Sequence, residues 1–177
     1  MEGHYGSEWP LEEKVKRRGM VAPEARYIFV YEALNASMSE TSTISEAEGT
    51  LTNFLDDRDP MVGFVHYRFV IEEGIPVLYV YELQLESRVQ AKGLGKFLMQ
   101  VIETIAQKNH MDAVVLTVQK ANSSAMNFYT RNLSYLVSRT SPSRVDPLIG
   151  TEKSYEIFCK TFNRDAKAIL GLAEENV

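Results

Sequence analysis

The sequence predicts an α+β fold built around a mixed sheet. Three observations predict it. Six short runs rich in β-branched and aromatic residues read as strands. One long segment with an apolar helical face follows a pair of glycines. Helices alternate with strands only between residues 77 and 131, while the flanking strands read as antiparallel, which excludes a doubly wound parallel sheet.

Taken in order, the first 18 residues, MEGHYGSEWPLEEKVKRR, hold no apolar core of a secretory signal. Only 26 residues precede Tyr27, and none reads as a strand. The strand candidates are Tyr27–Tyr31, Val62–Val70, Val77–Leu85, Ala113–Val118, Tyr135–Ser138 and Ser154–Lys160. EEGIP at 72–76 carries turn chemistry, so the second and third strands form an antiparallel hairpin. Residues 33–59 are rich in Ser, Thr, Asn and acids and read as a long mobile loop insertion. Leu94, Phe97, Leu98, Val101, Ile102, Ile105 and Ala106 make one apolar helical face that ends near Asn109. A second helix runs from Asn122 or Ser123, either of which can cap it, to Arg131. Residues 139–153 form a long, turn-rich hairpin loop, and residues 163–177 a tail with a short helix through Ile169, Leu170 and Leu172. The whole, 1–177, is expected to be one domain.

Bulk properties narrow the function. The 177 residues are 45% hydrophobic and 24% charged, ordinary for a globular protein. A net charge of −5 disfavours nucleic acid and favours a cationic partner such as a basic peptide. No run approaches the ~20 apolar residues of a membrane helix. The single cysteine, Cys159, permits no internal disulfide and suits a reducing compartment, here the cytoplasm and nucleus. Cys159 lies mid-strand in EIFCK and reads as core, so a covalent intermediate on its thiol is not expected. His4, His66 and His110 lack metal-ligand spacing, so no metal is expected, and His66 reads as a plain sheet residue.

The stretch SRVQAKGLGKFL, 87–98, carries the chemistry. Gly93 and Gly95 leave backbone N–H groups uncovered, and the helix that follows turns its positive end toward them, an anion site suited to a diphosphate. A P-loop fails, because Phe97 follows Gly95-Lys96 and Gln90 stands where its first glycine belongs. A dinucleotide fingerprint fails at Leu98, the place of its third glycine. The remaining pattern, Gln90-x-x-Gly93-x-Gly95, resembles the pyrophosphate loop of the GCN5-related N-acetyltransferase (GNAT) superfamily, which binds acetyl-coenzyme A. The strand before it, the apolar helix, AVVLTV and then NSSAMNFY follow the superfamily's order. The resemblance implies the GNAT fold: a twisted, mostly antiparallel mixed sheet with helices on both faces. That fold opens with a strand and one or two helices ahead of Tyr27–Tyr31, and here the N-terminal helical segment is expected to be absent.

HYRF, YELQLES, KGLGKFL, LTV, SPS and SYEI, spread over roughly 61–160, together with SEW at 7–9, resemble a narrower group, the NatD histone N-terminal acetyltransferases. That family acetylates the N-terminal serine of histone H4 and of the related histone whose tail begins Ser-Gly-Arg-Gly. The family places acids before EEGIP; Val70 stands at one such position, leaving Glu72 and Glu73.

Strict period-2 alternation puts Tyr79, Tyr81 and Leu83 on one face of their strand and Leu78, Val80, Glu82 and Gln84 on the other. Glu82 is then a carboxylate on an apolar stripe, where burial raises a pKa. The resemblance makes Glu82 the general base, acting through a water, with Tyr79 and Tyr81 ordering the peptide. It also implies a strand bulge that frees a backbone N–H near Leu83 for the thioester oxygen. Tyr129 stands where many superfamily members keep a tyrosine able to protonate the leaving thiolate; its plain alternative is helix packing beside Phe128. The implied cofactor set is Leu83, Gln84, Leu85, Arg88, Gln90, Ala91, Lys92, Gly93, Leu94, Gly95, Lys96 and Asn122, the last doubling as a helix cap. The implied peptide contacts are Trp9, Glu72, Tyr79, Tyr81, Thr117 and Tyr155, under a roof formed by the 139–153 loop. A monomer is expected. Two alternatives stay open: acetyl transfer to a lysine or small amine, and a non-catalytic coenzyme A or peptide-binding module.

Overall fold

The structure, a computed structural model, describes residues 9–33 and 59–171. The expected loop insertion therefore lies, over residues 34–58, outside the described residues, as does the end of the tail.

Among the described residues, six strands form one sheet: β1 (Arg26–Tyr31), β2 (Met61–Glu72), β3 (Ile75–Leu85), β4 (Ala113–Gln119), β5 (Leu136–Val137) and β6 (Tyr155–Thr161). Their order across the sheet is β1-β2-β3-β4-β6-β5. Only the β3–β4 pair is parallel, and it brackets α2 (Leu94–Lys108), the crossover helix that a parallel connection requires. The turn at Glu73–Gly74, both with positive φ, closes the β2–β3 hairpin that EEGIP predicts. All six predicted strands are present, with ends displaced by a residue or two.

Both faces are covered. On one, α2 buries Leu98, Met99, Ile102 and Ala106 against Val65, Leu78, Val80, Val114, Leu116 and Phe158. On the other, α6 (Arg164–Leu170) sets Ala166 and Leu170 on Val77, Ala113, Val115 and Cys159. Cys159 is buried there, and burial pushes its thiol up to about 11, the inert state expected of a core cysteine.

Three departures from the sequence reading matter. A helix, α1 (Trp9–Met20), does precede β1, so the expected loss of the N-terminal helical segment is corrected. It lies on the α6 side of the sheet, where Tyr27 Oη donates to Met20 O at 2.6 Å and the Arg68 guanidinium donates to Gly19 O. The second predicted helix is α3 (Ser123–Asn127) running directly into a π-helical turn, Phe128–Asn132. The 139–153 segment is not a plain loop: it holds α4 (Pro142–Val145) and α5 (Pro147–Glu152). Glu156 pins it near the ends of β4 and β6, accepting from the Ser141 and Ser143 hydroxyls and pairing with Lys120 at 3.2 Å.

Candidate active site

The site is built from one irregularity in β3. In the β2–β3 ladder, Tyr67 faces Val80 and His66 faces Glu82, so Tyr81 is an extra residue, a β-bulge. The bulge shifts the alternation by one. Before it, Leu78 and Val80 face α2; beyond it, Leu83 and Leu85 take over that face. Glu82 and Gln84 therefore move to the face of Val77 and Tyr79, opposite His66 and Phe64. The strict alternation that grouped Glu82 with Leu78 and Val80, and Tyr79 with Leu83, is corrected by this single inserted residue.

The same bulge parts the sheet. The parallel β3–β4 ladder runs from Val77–Ala113 to Val80–Leu116 and stops. Past it the strands diverge around a cleft of about 260 Å³, lined by both strands and by Asn122, Ala125 and Tyr129 from α3 and the π-turn. From Tyr81 to Leu85 the ladder holds β3 to β2 on one side only, so the other edge offers main-chain groups to the cleft. Asn122 caps α3, its Oδ1 accepting from Ala125 N at 3.1 Å, and it lines the cleft as well. Tyr129 is buried against Phe128 and Tyr135, and burial raises its phenol above the usual range, so the hydroxyl stays protonated. Helix packing and a place on the cleft wall are both true of it.

The glycine loop follows. Ala91 and Gly93 have positive φ, 57° and 86°, which turn the chain sharply into α2. At Gly95 a Cβ would come within 3.3 Å of the Phe128 ring and 3.6 Å of Leu85, so glycine lets the first turn of α2 lie close to both. Gln90 braces the loop, its Nε2 donating to Leu85 O at 2.8 Å. Arg88 is engaged by two acids, Glu86 at 2.7 Å and Glu32, and a phosphate would have to compete with them. Lys92 and Lys96 flank the loop and are exposed, while Leu94 opens the helix half-buried.

The implied peptide contacts collect on the α1 side of the sheet. Tyr79 Oη and Thr117 Oγ1 lie 2.5 Å apart across the β3–β4 seam. Tyr81 is exposed, its ring 5.0 Å from that of Tyr79 and 4.7 Å beneath the Arg68 guanidinium. Tyr155 shares this face, since it sits opposite Gln119, two residues beyond Thr117. Glu72 is at the far end of β2, its carboxyl raised by burial and by the neighbouring Glu73 charge. Burial, opposed by the Thr117 hydrogen bond, raises the Tyr79 phenol, with the charges of Glu72, Tyr81 and Tyr155 adding to it. Trp9 opens α1, but its side chain lies outside the described residues.

Glu82 is the centre of this face, and its surroundings are not the apolar stripe expected. Its carboxylate is 8% exposed, and Lys16 Nζ of α1 lies 2.9 Å from Oε1. His66, passed over in the sequence as a plain sheet residue, faces Glu82 across the ladder. Its ring is stacked between Tyr27 at 4.8 Å and Tyr81 at 5.1 Å. Burial, then the Arg68 charge, pull the imidazole below its ordinary pKa, so it is neutral. His66 Nε2 and Glu82 Oε2 are both buried without a hydrogen-bond partner. Only the bulge register brings His66 to Glu82, and no feature of HYRF announces it.

The arrangement offers an anion cradle, a narrow cleft and a carboxylate among tyrosines where two strands separate. Among the described residues no group of three or more His, Cys, Asp or Glu could hold a metal ion. The model of the acetyltransferase (GNAT) family matches residues 12–135. A putative acetyltransferase of that family from Desulfovibrio desulfuricans shares the fold, with a TM-score of 0.54 at 14% identity, covering 90% of this chain and 84% of its own. The PaiA N-acetyltransferase from Thermoplasma acidophilum, in complex with coenzyme A, is 24% identical over 58% of this chain and 54% of that one, with a TM-score of 0.45. Naa50 of Arabidopsis thaliana, in complex with the bisubstrate analogue CoA-Ac-MVNAL, is 21% identical over 58% and 66% of the two chains, also at 0.45. The chain thus spans about half to two thirds of these last two proteins.

Proposed function

The chain belongs to the acetyltransferase (GNAT) family, and from that premise we propose that it moves an acetyl group from acetyl-coenzyme A to the free N-terminal amine of a protein. The substrates proposed are the N-terminal serine of histone H4 and the related Ser-Gly-Arg-Gly histone, in the cytoplasm and nucleus. One observation carries the reading: the bulge at Tyr81 sets Glu82 beside Tyr79 and Tyr81 at the parting of β3 and β4.

The residues present fit an acyl-coenzyme A as co-substrate. The open turn at Gly93, where nothing lies within 4 Å of a would-be Cβ, and the first turn of α2 suit its pyrophosphate. The cleft beside Leu83 and Gln84 suits its thin pantetheine arm, with Asn122 alongside. There the thioester supplies the activated acetyl group. The protein's own contributions are four. Glu82 takes the proton the acceptor amine must lose, and an α-amine needs little help, with an unperturbed pKa of about 7.7–8.0. A main-chain N–H near Leu83 donates to the carbonyl oxygen as charge develops on it. Tyr129, kept protonated by burial, donates to the departing sulfur. Tyr79, Tyr81, Thr117 and Glu72 hold the peptide in register.

Absent N-terminal elements would favour the non-catalytic alternative, and α1 supplies one such element. Transfer to other amines is separated by substrate. A Ser-Gly-Arg-Gly peptide should be acetylated at its α-amine, located by mass, and blocking that amine should abolish turnover; equal acetylation of the blocked peptide overturns the reading. Glu82→Gln should lower kcat by about 10²–10⁴-fold with coenzyme A binding retained by calorimetry, and a rate equal to wild type overturns the assignment of the base.

A further inference from the structure

The cations of α1 do not share one environment. Lys14, Arg17 and Arg18 are exposed, whereas Lys16 turns inward, its side chain 18% exposed and its ammonium 2.9 Å from Glu82 Oε1. The placement is built rather than casual. The end of α1 is tied to the sheet by Tyr27 on Met20 O and Arg68 on Gly19 O, and Arg68 in turn lies over Tyr81. Glu82 itself forms part of the cleft wall between β3 and β4. A primary amine of the protein thus stands at the carboxylate that would take the acceptor's proton, beside the cleft suited to the thioester. A structural ion pair needs the carboxylate but not the cleft beside it. An acceptor needs both.

We propose that Lys16 is an acetyl acceptor in cis, a modification site of this chain. The proposal rests on the reading of Glu82 as general base. The ammonium gives one proton to Glu82, from which it passes to solvent. The neutral nitrogen then attacks the thioester carbonyl carbon of acetyl-coenzyme A; the C–N bond forms and the C–S bond breaks. The sulfur leaves with the bonding pair and takes the second proton from nitrogen. The balance is an acetamide on Lys16, free coenzyme A thiol and one proton released. The product carries no charge, so the ion pair with Glu82 ends, and the carboxylate is left to an incoming peptide amine.

The test incubates the purified full chain with acetyl-coenzyme A alone and maps acetyl groups by mass over time. A mark at Lys16 is expected whose first-order rate is unchanged on dilution of the protein, and which falls by about 100-fold or more in Glu82→Gln. Lys16→Arg, which keeps the charge, should lose the mark at that position. Acetyl spread evenly over exposed Lys14, Lys92 and Lys96, or a rate at Lys16 that scales with protein concentration or survives Glu82→Gln, overturns the proposal. A parallel arm adds Ser-Gly-Arg-Gly peptide. Peptide acetylated with Lys16 bare overturns this inference and leaves the proposed function standing; neither acetylated overturns both.

Discussion

Held between two tyrosine rings and opposite Glu82, the His66 imidazole is neutral, and its stability contribution has a definite sign with pH. Its folded pKa is lowered, by burial first and then by Arg68 and Lys16, with Glu82 opposing. The unfolded chain therefore binds a proton that the folded chain refuses, and stability rises with pH across that window. The contribution is full above about 6.5, the unfolded value, and is lost as pH falls from there through the folded value. His66→Gln should cost about 1 kcal/mol at neutral pH through lost stacking. The gap between the two melting temperatures should narrow as the solution is acidified below about 6.5. A gap that stays constant across the range overturns this account. The same stack fixes the Tyr81 ring, so one buried histidine orders a residue of the proposed peptide groove.

At the level of elements, the start of α2 is the most exacting. Gly93 holds φ at 86°, where a side chain is strained. Gly93→Ala should destabilise the fold by about 1–2 kcal/mol in denaturant titrations. It should also weaken coenzyme A binding by calorimetry, because the turn aims the open amides; unchanged affinity overturns that role. Much at this scale was readable. YIFVY, VLYVYELQL and AVVLTV are strands because their β-branched and aromatic side chains suit pleated, half-buried surfaces. The long helix announced itself by its apolar face. Helix α1 did not: among its described side chains Lys16 turns to the sheet while Val15 is 71% exposed, and the main-chain oxygens of Gly19 and Met20 take the ties from Arg68 and Tyr27. Hydrophobic periodicity does not register contacts made by an ammonium and by main-chain oxygens. The bulge, and that it re-aims the side chains of β3, was expected from a family resemblance; the face that Glu82 reaches was not, since it follows from the register alone, which flips every side chain beyond the inserted residue.

Across the whole molecule, charge is the property that acts at a distance. The chain carries −5 at neutral pH, and the proposed substrate is a basic tail. Encounter should be steered, and salt should weaken it, since the screening length falls from about 10 Å at 0.1 M to about 3 Å at 1 M. KM for a Ser-Gly-Arg-Gly peptide should rise severalfold over that range with kcat nearly steady, and a KM indifferent to salt overturns the electrostatic role. The fold class was legible at this scale from where helices and strands alternate. The convergence of Tyr79, Thr117 and Tyr155 was expected from the resemblance and not from the residues themselves, because it depends on cross-strand registers among β3, β4 and β6.

Those registers also set the mechanics of the sheet. Between β3 and β4 the ladder runs through four residue pairs, Val77–Ala113 to Val80–Leu116, all at one end of the seam, while the core under α2 bridges both strands. A rotation about Leu78 and Val80 would change the gape most near Gln84 and Gln119, both on the cleft wall. Repacking the apolar core beneath that pivot should then tune the width of the cleft without altering any residue that grips.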